Sequence, residues 1–428
     1  MEGKAVKFGG TSLCDADRMQ KAAAIVREDE TRKAVVVSAP GKRFAGDEKI
    51  TDLLIAANGA LNEKRRAELI RAVQGRFDDM IDSLGLTPVL GADYEEMHTL
   101  SGDALVSRGE YLCAKIFAAL IGYDFIDAAE VIFFGADDSV DEKRTRAALA
   151  MRLERSRGAV IPGFYGSMPN GSIRLFSRGG SDITGAIVAD AMNASVYENF
   201  TDVCGVLLSD PRVIADAPTV PLISYGEMRY LASKGTCVLH ADAVLPLAAK
   251  QIPTVIRCTE NPHGPHTRIV PYKTGGSVGG IVGSVGYTLF SVERTHLGDT
   301  PWAVDAITAL LSGEGLSPLF LSRDVDCAAF LLQHCTHERA DALAVTLQST
   351  LDAELVTVRT GIAAVDVVAA GCRVHTNAAI WKALEEAQIY PVLAVCRTEP
   401  PAVTVCVSET ELTKAIEAIH RRIVSEQK

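Results

Sequence analysis

No basic stripe runs through these 428 residues, and no five residues of like charge stand together. With a formal net charge of −11, the chain is a poor partner for nucleic acid or an anionic membrane. No apolar stretch approaches the roughly 18 residues of a spanning helix. The N-terminus reaches glycine and lysine without an apolar run, so neither a membrane span nor a signal peptide is expected. The ten cysteines form no C-x-x-C pair. Scattered so widely, they point to a reducing cytoplasm rather than a disulfide frame. "NPHGPH" (His263, His266) and "HCTHE" (His334, Cys335, His337) each lack a second ligand pair at a usable spacing, so no metal site is expected.

What remains is an ordinary globular balance, 48% hydrophobic and 23% charged, long enough for two or three domains. Residues 5–8 read as a strand. "GGTSLCDAD" reads as a turn, and Met19, Ala22, Ala23 and Val26 fall at helical spacing behind Asp15, a candidate N-cap. "KAVVVSAP" (33–40) is a buried strand stopped by Pro40, which completes a βαβ unit. The region 52–120 is mostly helical, and 158–166, 195–202 and 252–258 add strands. This alternation, continued to about residue 270, predicts a doubly wound, mostly parallel α/β sheet.

The Gly/Ser stretch at 272–280 marks a boundary. Beyond it "LSPLFLS" (316–322) matches "IYPVLAV" (389–395) at an offset of 73 residues. Each follows a helical segment and precedes a strand and a second helix. With "YTLFSVE" and "AAVDVVAA" as leading strands, the two halves read as tandem ferredoxin-like βαββαβ modules, the closing strand of each carrying the weakest signal. The expected domains are 1–272, 280–350 and 351–428.

Two glycine pairs carry chemistry. In "KFGGTS", Lys7 stands beside Gly9 and Gly10, a strand-to-helix turn where amide groups, a helix N-terminus and a compact cation suit an anion. It is neither G-x-G-x-x-G nor a Walker A loop. An exposed lysine on a tight turn explains the same residues more simply. In "SRGGSD", Arg178 precedes a second Gly-Gly with Ser181 and Asp182, a set suited to a carboxylated ligand, with helix capping by Asp182 as the plainer alternative. Glu110 in "SRGE" sits at a helix start, and "TDVCGV" and "DPR" give polar turns near strand ends.

Taken together, "KFGGTS", "SRGE", "VIPGFYG", "SRGGSD", "TDV-GV" and "DPR" resemble, in order and spacing, the aspartate kinases of the amino acid kinase superfamily. The paired C-terminal modules look like that family's tandem ACT domains, and the resemblance covers nearly the whole chain. It implies phosphoryl transfer from MgATP (ATP with Mg2+) to the β-carboxylate of L-aspartate. Lys7 would contact the transferring phosphoryl group, with Gly9 and Gly10 donating amides to it. Asp182 would orient Lys7 and help organise the metal-nucleotide. Arg178 would grip the α-carboxylate and Glu110 the ammonium, with Thr51 and Ser181 also on the substrate side. Ser38, Thr201, Asp202 and Arg212 match nucleotide-side positions. A lysine or threonine effector at the ACT modules follows from the same resemblance, with modules that serve only as a dimer interface as the plainer alternative; a homodimer or higher homo-oligomer is expected, in the cytoplasm that the cysteines indicate.

The match has departures. The family's "GAKVLH" is "GTCVLH" here, with Cys237 in place of lysine, and Leu207 replaces an aromatic residue. Both fall on the nucleotide side and predict weaker nucleotide binding. The loop-to-helix segments "THLGDTPWAVDAI" and "CRVHTNAAIWKAL" keep the shape of effector loops with fewer glycines. A kinase of another carboxylate, such as glutamate or N-acetylglutamate, and a non-catalytic amino acid sensor are the competing readings.

Overall fold

The computed structural model describes residues 3–426 apart from 88–89, 178, 236–238, 240, 274–276, 370–373 and 399–400. Two compact units divide the chain. One holds residues 1–207 and 219–274, the other residues 208–218 and 275–428.

The first unit is built on β1 (Lys4–Phe8), β2 (Arg32–Val37), β3 (Asp124–Phe125), β4 (Ala159–Pro162), a β5 (Tyr165–Ser167) and β6 (Ile173–Leu175) hairpin, β7 (Tyr197–Thr201), β8 (Leu222–Ser224), β9 (Thr254–Cys258) and β10 (Thr267–Val270). Eight of these make one sheet in the order β3-β4-β2-β1-β7-β9-β10-β8. All its pairings are parallel except β9 with β10. Parallel strands are covered on both faces, which is why β1 and β2 read as near-continuous apolar runs. Val6 and Phe8 face a core shared with helices Ala16–Glu28 and Arg108–Ile121, where Phe8 stacks on Phe200 at 5.1 Å. Ala34, Val36, Ala159 and Ile161 face the other layer, with helices Glu142–Glu154 and Gly180–Ala191. Asp15 caps its helix as expected, accepting from the Arg18 amide at 2.9 Å. The segment 52–120 is helical in pieces: Ile50–Asn58, Glu63–Leu84, Gly91–Thr99, Gly102–Val106 and Arg108–Ile121.

One buried ion pair braces the sheet. Arg32 Nε donates to Glu198 Oε2 at 2.6 Å and its Nη2 to Oε1 at 3.2 Å, both side chains over 90% buried. The bidentate geometry offsets the cost of taking two charges out of water.

The second unit is one antiparallel sheet ordered β12-β13-β11-β14-β16-β15, from β11 (Val278–Glu293), β12 (Phe320–Arg323), β13 (Cys327–Gln333), β14 (Leu355–Ala369), β15 (Leu393–Thr398) and β16 (Pro401–Ser408). The 73-residue repeat is visible in it, since β12 begins at 320 and β15 at 393. Each half has the ferredoxin-like strand order, and the closing strands explain why they were faint in the sequence. The first module closes with residues 355–362 of β14, whose later residues 362–369 open the second module. The second closes with residues 278–284 of β11, which precede the first module in the chain. The modules therefore exchange strands, and their limits are not the simple cuts at 350 and 351 read from the sequence. Residues 208–218 also join this unit: Ile281 N–H donates to Leu208 O at 2.7 Å, and Ser209 Oγ lies 2.8 Å from His420 Nδ1.

No helix among the described residues is long and apolar enough to cross a membrane.

Candidate active site

The first glycine turn and the second meet at the carboxyl ends of the parallel strands. Lys7 is the next-to-last residue of β1, in register with Val36 of β2 and Asn199 of β7. Alternation turns its side chain away from the Val6/Phe8 face and toward helix Gly180–Ala191. There Lys7 Nζ lies 2.6 Å from Asp182 Oδ1, with side chains 9% and 16% exposed. Asn199, on the same face, donates its amide to the same carboxylate oxygen at 3.1 Å. Asp182 is thus no helix cap; Gly179 occupies the N-cap, at φ +61°, a left-handed conformation that favours glycine.

Close packing explains the second glycine of each pair. A Cβ on Gly10 would stand 2.6 Å from Ala39 O, and one on Gly180 2.6 Å from the Phe164 ring. Gly9 behaves differently from expectation. Its N–H is already donated to Phe200 O at 2.9 Å, so it is not available to a phosphoryl group, and the amide role assigned to it is withdrawn. What its bareness gives is proximity: Lys7 Nζ and Thr201 Oγ1 lie 3.8 and 3.9 Å from where its Cβ would stand.

A cavity of about 290 Å3 opens at this point. Lys7, Ser38, Thr51, Glu110, Ser181 and Asp182 all line it, together with Lys49, Asp52, Phe164, Gly179 and Gly180. Glu110 is the residue under most electrostatic stress. It sits in the first turn of helix Arg108–Ile121, 4% exposed. Burial raises its pKa from the ordinary 4.5 to about 8, against the opposing pull of the Ala39 and Glu110 backbone amides. Its Oε2 is buried without a hydrogen-bond partner among the described residues. Such an orphan acceptor on a residue that lines a cavity is costly unless a donor arrives.

Other expected residues fall elsewhere. Thr201 Oγ1 donates to Asp202 Oδ1 at 3.1 Å at the end of β7, beside the cavity rather than in its lining. Arg212 belongs to the 208–218 segment of the second unit, 88% exposed and paired with Asp210 at 2.6 Å. Arg178 and Cys237 lie outside the described residues. Lys234 lays its ammonium 5.5 Å from the Tyr230 ring centre. Sequence reasoning missed Phe164, Lys49, Asp52 and Asn199. Asn199 had a signal, a polar residue inside the apolar strand "YENFT"; the other three did not.

The chain matches the model of the amino acid kinase family over residues 4–258. It is similar to aspartokinase 3 of Bacillus subtilis, 32% identical over 98% of each chain, and to the lysine-sensitive aspartokinase 3 of Escherichia coli, 30% identical over 61% of this chain and 63% of that protein. Among solved structures, the Clostridium acetobutylicum aspartate kinase superposes with a TM-score of 0.88 at 31% identity, over 99% of this chain and all of that one. E. coli aspartokinase III in complex with aspartate and ADP, at 22% identity, shares the fold with a TM-score of 0.74 over 99% of this chain and all of that one. The chain belongs to the aspartokinases, within the amino acid kinase family.

Proposed function

We infer that this protein is an aspartate kinase, transferring the γ-phosphoryl group of MgATP to the β-carboxylate of L-aspartate to give 4-phospho-L-aspartate, the first step toward lysine, threonine and methionine. The observation that carries the site assignment is the buried, unpartnered Glu110 oxygen in the same cavity as the Lys7–Asp182 pair. A buried carboxyl without a donor, whose ionised form burial disfavours, suits an amino acid's ammonium that would stabilise that form, and a held lysine beside glycine turns suits a phosphoryl group.

The chemistry needs no general base. The acceptor carboxylate, with a pKa of about 4, is ionised at neutral pH. What must be overcome is repulsion between two anions, so catalysis is charge stabilisation and in-line positioning. Lys7 bears on the transferring oxygens, Asp182, itself held by the Asn199 amide, fixes its ammonium, and the amide of Gly10 and the start of helix Gly180–Ala191 add positive potential. Thr51, Ser181 and Arg178 hold the amino acid beside Glu110, and Ser38, Thr201 and Asp202 serve the nucleotide. The described residues offer no cluster of three metal ligands. A lone carboxylate suits Mg2+ that arrives on the nucleotide, so Asp182 would meet it as part of MgATP.

The two C-terminal modules serve regulation. An E. coli aspartokinase III of the same fold is described in complex with lysine and aspartate in a T-state, and lysine or threonine is the effector proposed here. Assembly into a homodimer or larger homo-oligomer, and a cytoplasmic location, accompany this reading. The test is release of ADP measured with aspartate, with glutamate and with no acceptor. Aspartate-dependent release supports the assignment. Release driven only by glutamate moves it to another carboxylate, and no release leaves a sensor.

A further inference from the structure

The cavity contains a second lysine that neither the motifs nor the mechanism above uses. Lys49 lines it together with Thr51 and Glu110 and is exposed. It stands at the N-cap of helix Ile50–Asn58, in extended conformation and with no side-chain capping bond. That position normally takes Ser, Thr, Asp or Asn, and the positive end of a helix disfavours a cation. The placement is therefore poor for the helix. Among the described residues no carboxylate pairs with the Lys49 ammonium, although Asp52 lines the same cavity.

The backbone carrying Lys49 is nonetheless fixed. Arg76, 8% exposed, reaches across from helix Glu63–Leu84 and donates Nη1 to Glu48 O at 2.6 Å and Nη2 to Gly41 O at 2.9 Å. Both ends of the 41–48 loop hang on one buried guanidinium, which sets where Lys49 enters the cavity. The charge balance gives that cation a purpose. Lys7 is offset at 2.6 Å by Asp182, and Asp52 adds a second carboxylate to the lining. Of the two lysines among the described residues of the lining, Lys7 is paired with a carboxylate and Lys49 is not, so Lys49 can serve one of the two carboxylates of an acidic amino acid beside the Arg178 proposed for the other.

We propose that Lys49 is a substrate-binding residue, a second cation of the cavity that receives a carboxylate of the acidic amino acid before transfer. This rests on the cavity being the phosphoryl-transfer site. It also explains why a lysine occupies a capping position: the helix gives up stability that the bound anion restores.

Steady-state kinetics and melting of Lys49→Ser and Lys49→Arg test it. Lys49→Ser is expected to raise the aspartate KM about tenfold, the scale of one charge contact near a protein surface. Its MgATP KM stays near the wild-type value, and its Tm holds or rises, because serine is the better cap. Lys49→Arg keeps most of the wild-type aspartate KM. An unchanged aspartate KM in Lys49→Ser, or a raised KM that Lys49→Arg shares in full, overturns the proposal. A wild-type protein without aspartate-dependent turnover would instead remove the kinase reading beneath it, so the two failures are distinguishable.

Discussion

Lys7 and Asp182 belong to different glycine-paired turns, yet the ammonium of one lies 2.6 Å from the carboxylate of the other at the mouth of a common cavity. The pair comes from two independent packing facts. β1 delivers Lys7 on the face opposite Phe8, and Gly180 lets its helix start close enough to Phe164 for Asp182 to reach it. Replacing Lys7 by alanine is therefore expected to lower kcat by about two to three orders of magnitude, the range for losing a preorganised charge at a reacting group. The fold persists, since the abandoned Asp182 keeps the Asn199 bond and some solvent. Turnover assays with a circular dichroism melt check both parts; near-full turnover removes Lys7 from the mechanism.

Glu110 makes stability depend on pH. Its folded-state pKa of about 8 lies above its ordinary 4.5. Between those values the unfolded chain has released a proton that the folded chain still holds, so stability is lost as pH rises through that window and the loss is complete above about 8. Glu110→Gln has no such proton. Relative to wild type it should gain stability steadily from pH 5 to pH 8, by a few kcal/mol at most. Its aspartate KM should rise, because the amide cannot pair with an ammonium. Saturating aspartate should narrow the stability gap by supplying the wild-type carboxylate with its missing donor. Urea unfolding of both proteins across that pH range reads the effect, and a pH-independent difference would contradict it.

The Arg32–Glu198 pair is a stability element only while both partners are present. Arg32→Met leaves the buried Glu198 carboxylate only the longer Arg257 contact at 3.6 Å and should cost about 3 kcal/mol. Adding Glu198→Met should recover part of that, because the poorly compensated charge goes with it. A double-mutant cycle in urea measures the recovery; simple additivity of the two losses would refute the coupling.

Cys237 stands where the aspartate kinases resembled in the sequence carry a lysine. Cys237→Lys should lower the KM for ATP while leaving that for aspartate unchanged, because a thiol has no positive charge to hold a phosphate. Initial-rate kinetics with each substrate varied in turn decide this, and an unaltered ATP KM dismisses the idea.

Local chemistry made part of this molecule readable from sequence. The Val-rich strand, which ends at Val37 and not at Pro40, the Asp15 cap and the repeat at offset 73 depend on neighbours within a few turns of chain, and each appears in the structure. Strand exchange did not show, because residues 278–284 close a module whose other strands begin some 80 residues later, and nothing in their own pattern names that partner. The 208–218 segment was equally silent, since its anchors, Ile281 and His420, are remote in sequence. In the site, motif spacing found Lys7, Glu110 and Asp182 but misjudged Gly9, whose amide is spent on Phe200. Lys49 escaped notice because a lysine in a charged loop looks like solvent-facing surface until the cavity beside it is seen.

The most direct measurement is product trapping. An acyl phosphate reacts with hydroxylamine to give a hydroxamate, so the enzyme incubated with MgATP, L-aspartate and hydroxylamine should form β-aspartyl hydroxamate in step with ADP. Omitting aspartate should abolish both, and replacing Lys7 by alanine should lower both by about two to three orders of magnitude. ADP release without hydroxamate, or equal hydroxamate from the Lys7→Ala protein, would contradict a β-carboxylate kinase centred on the Lys7–Asp182 cavity.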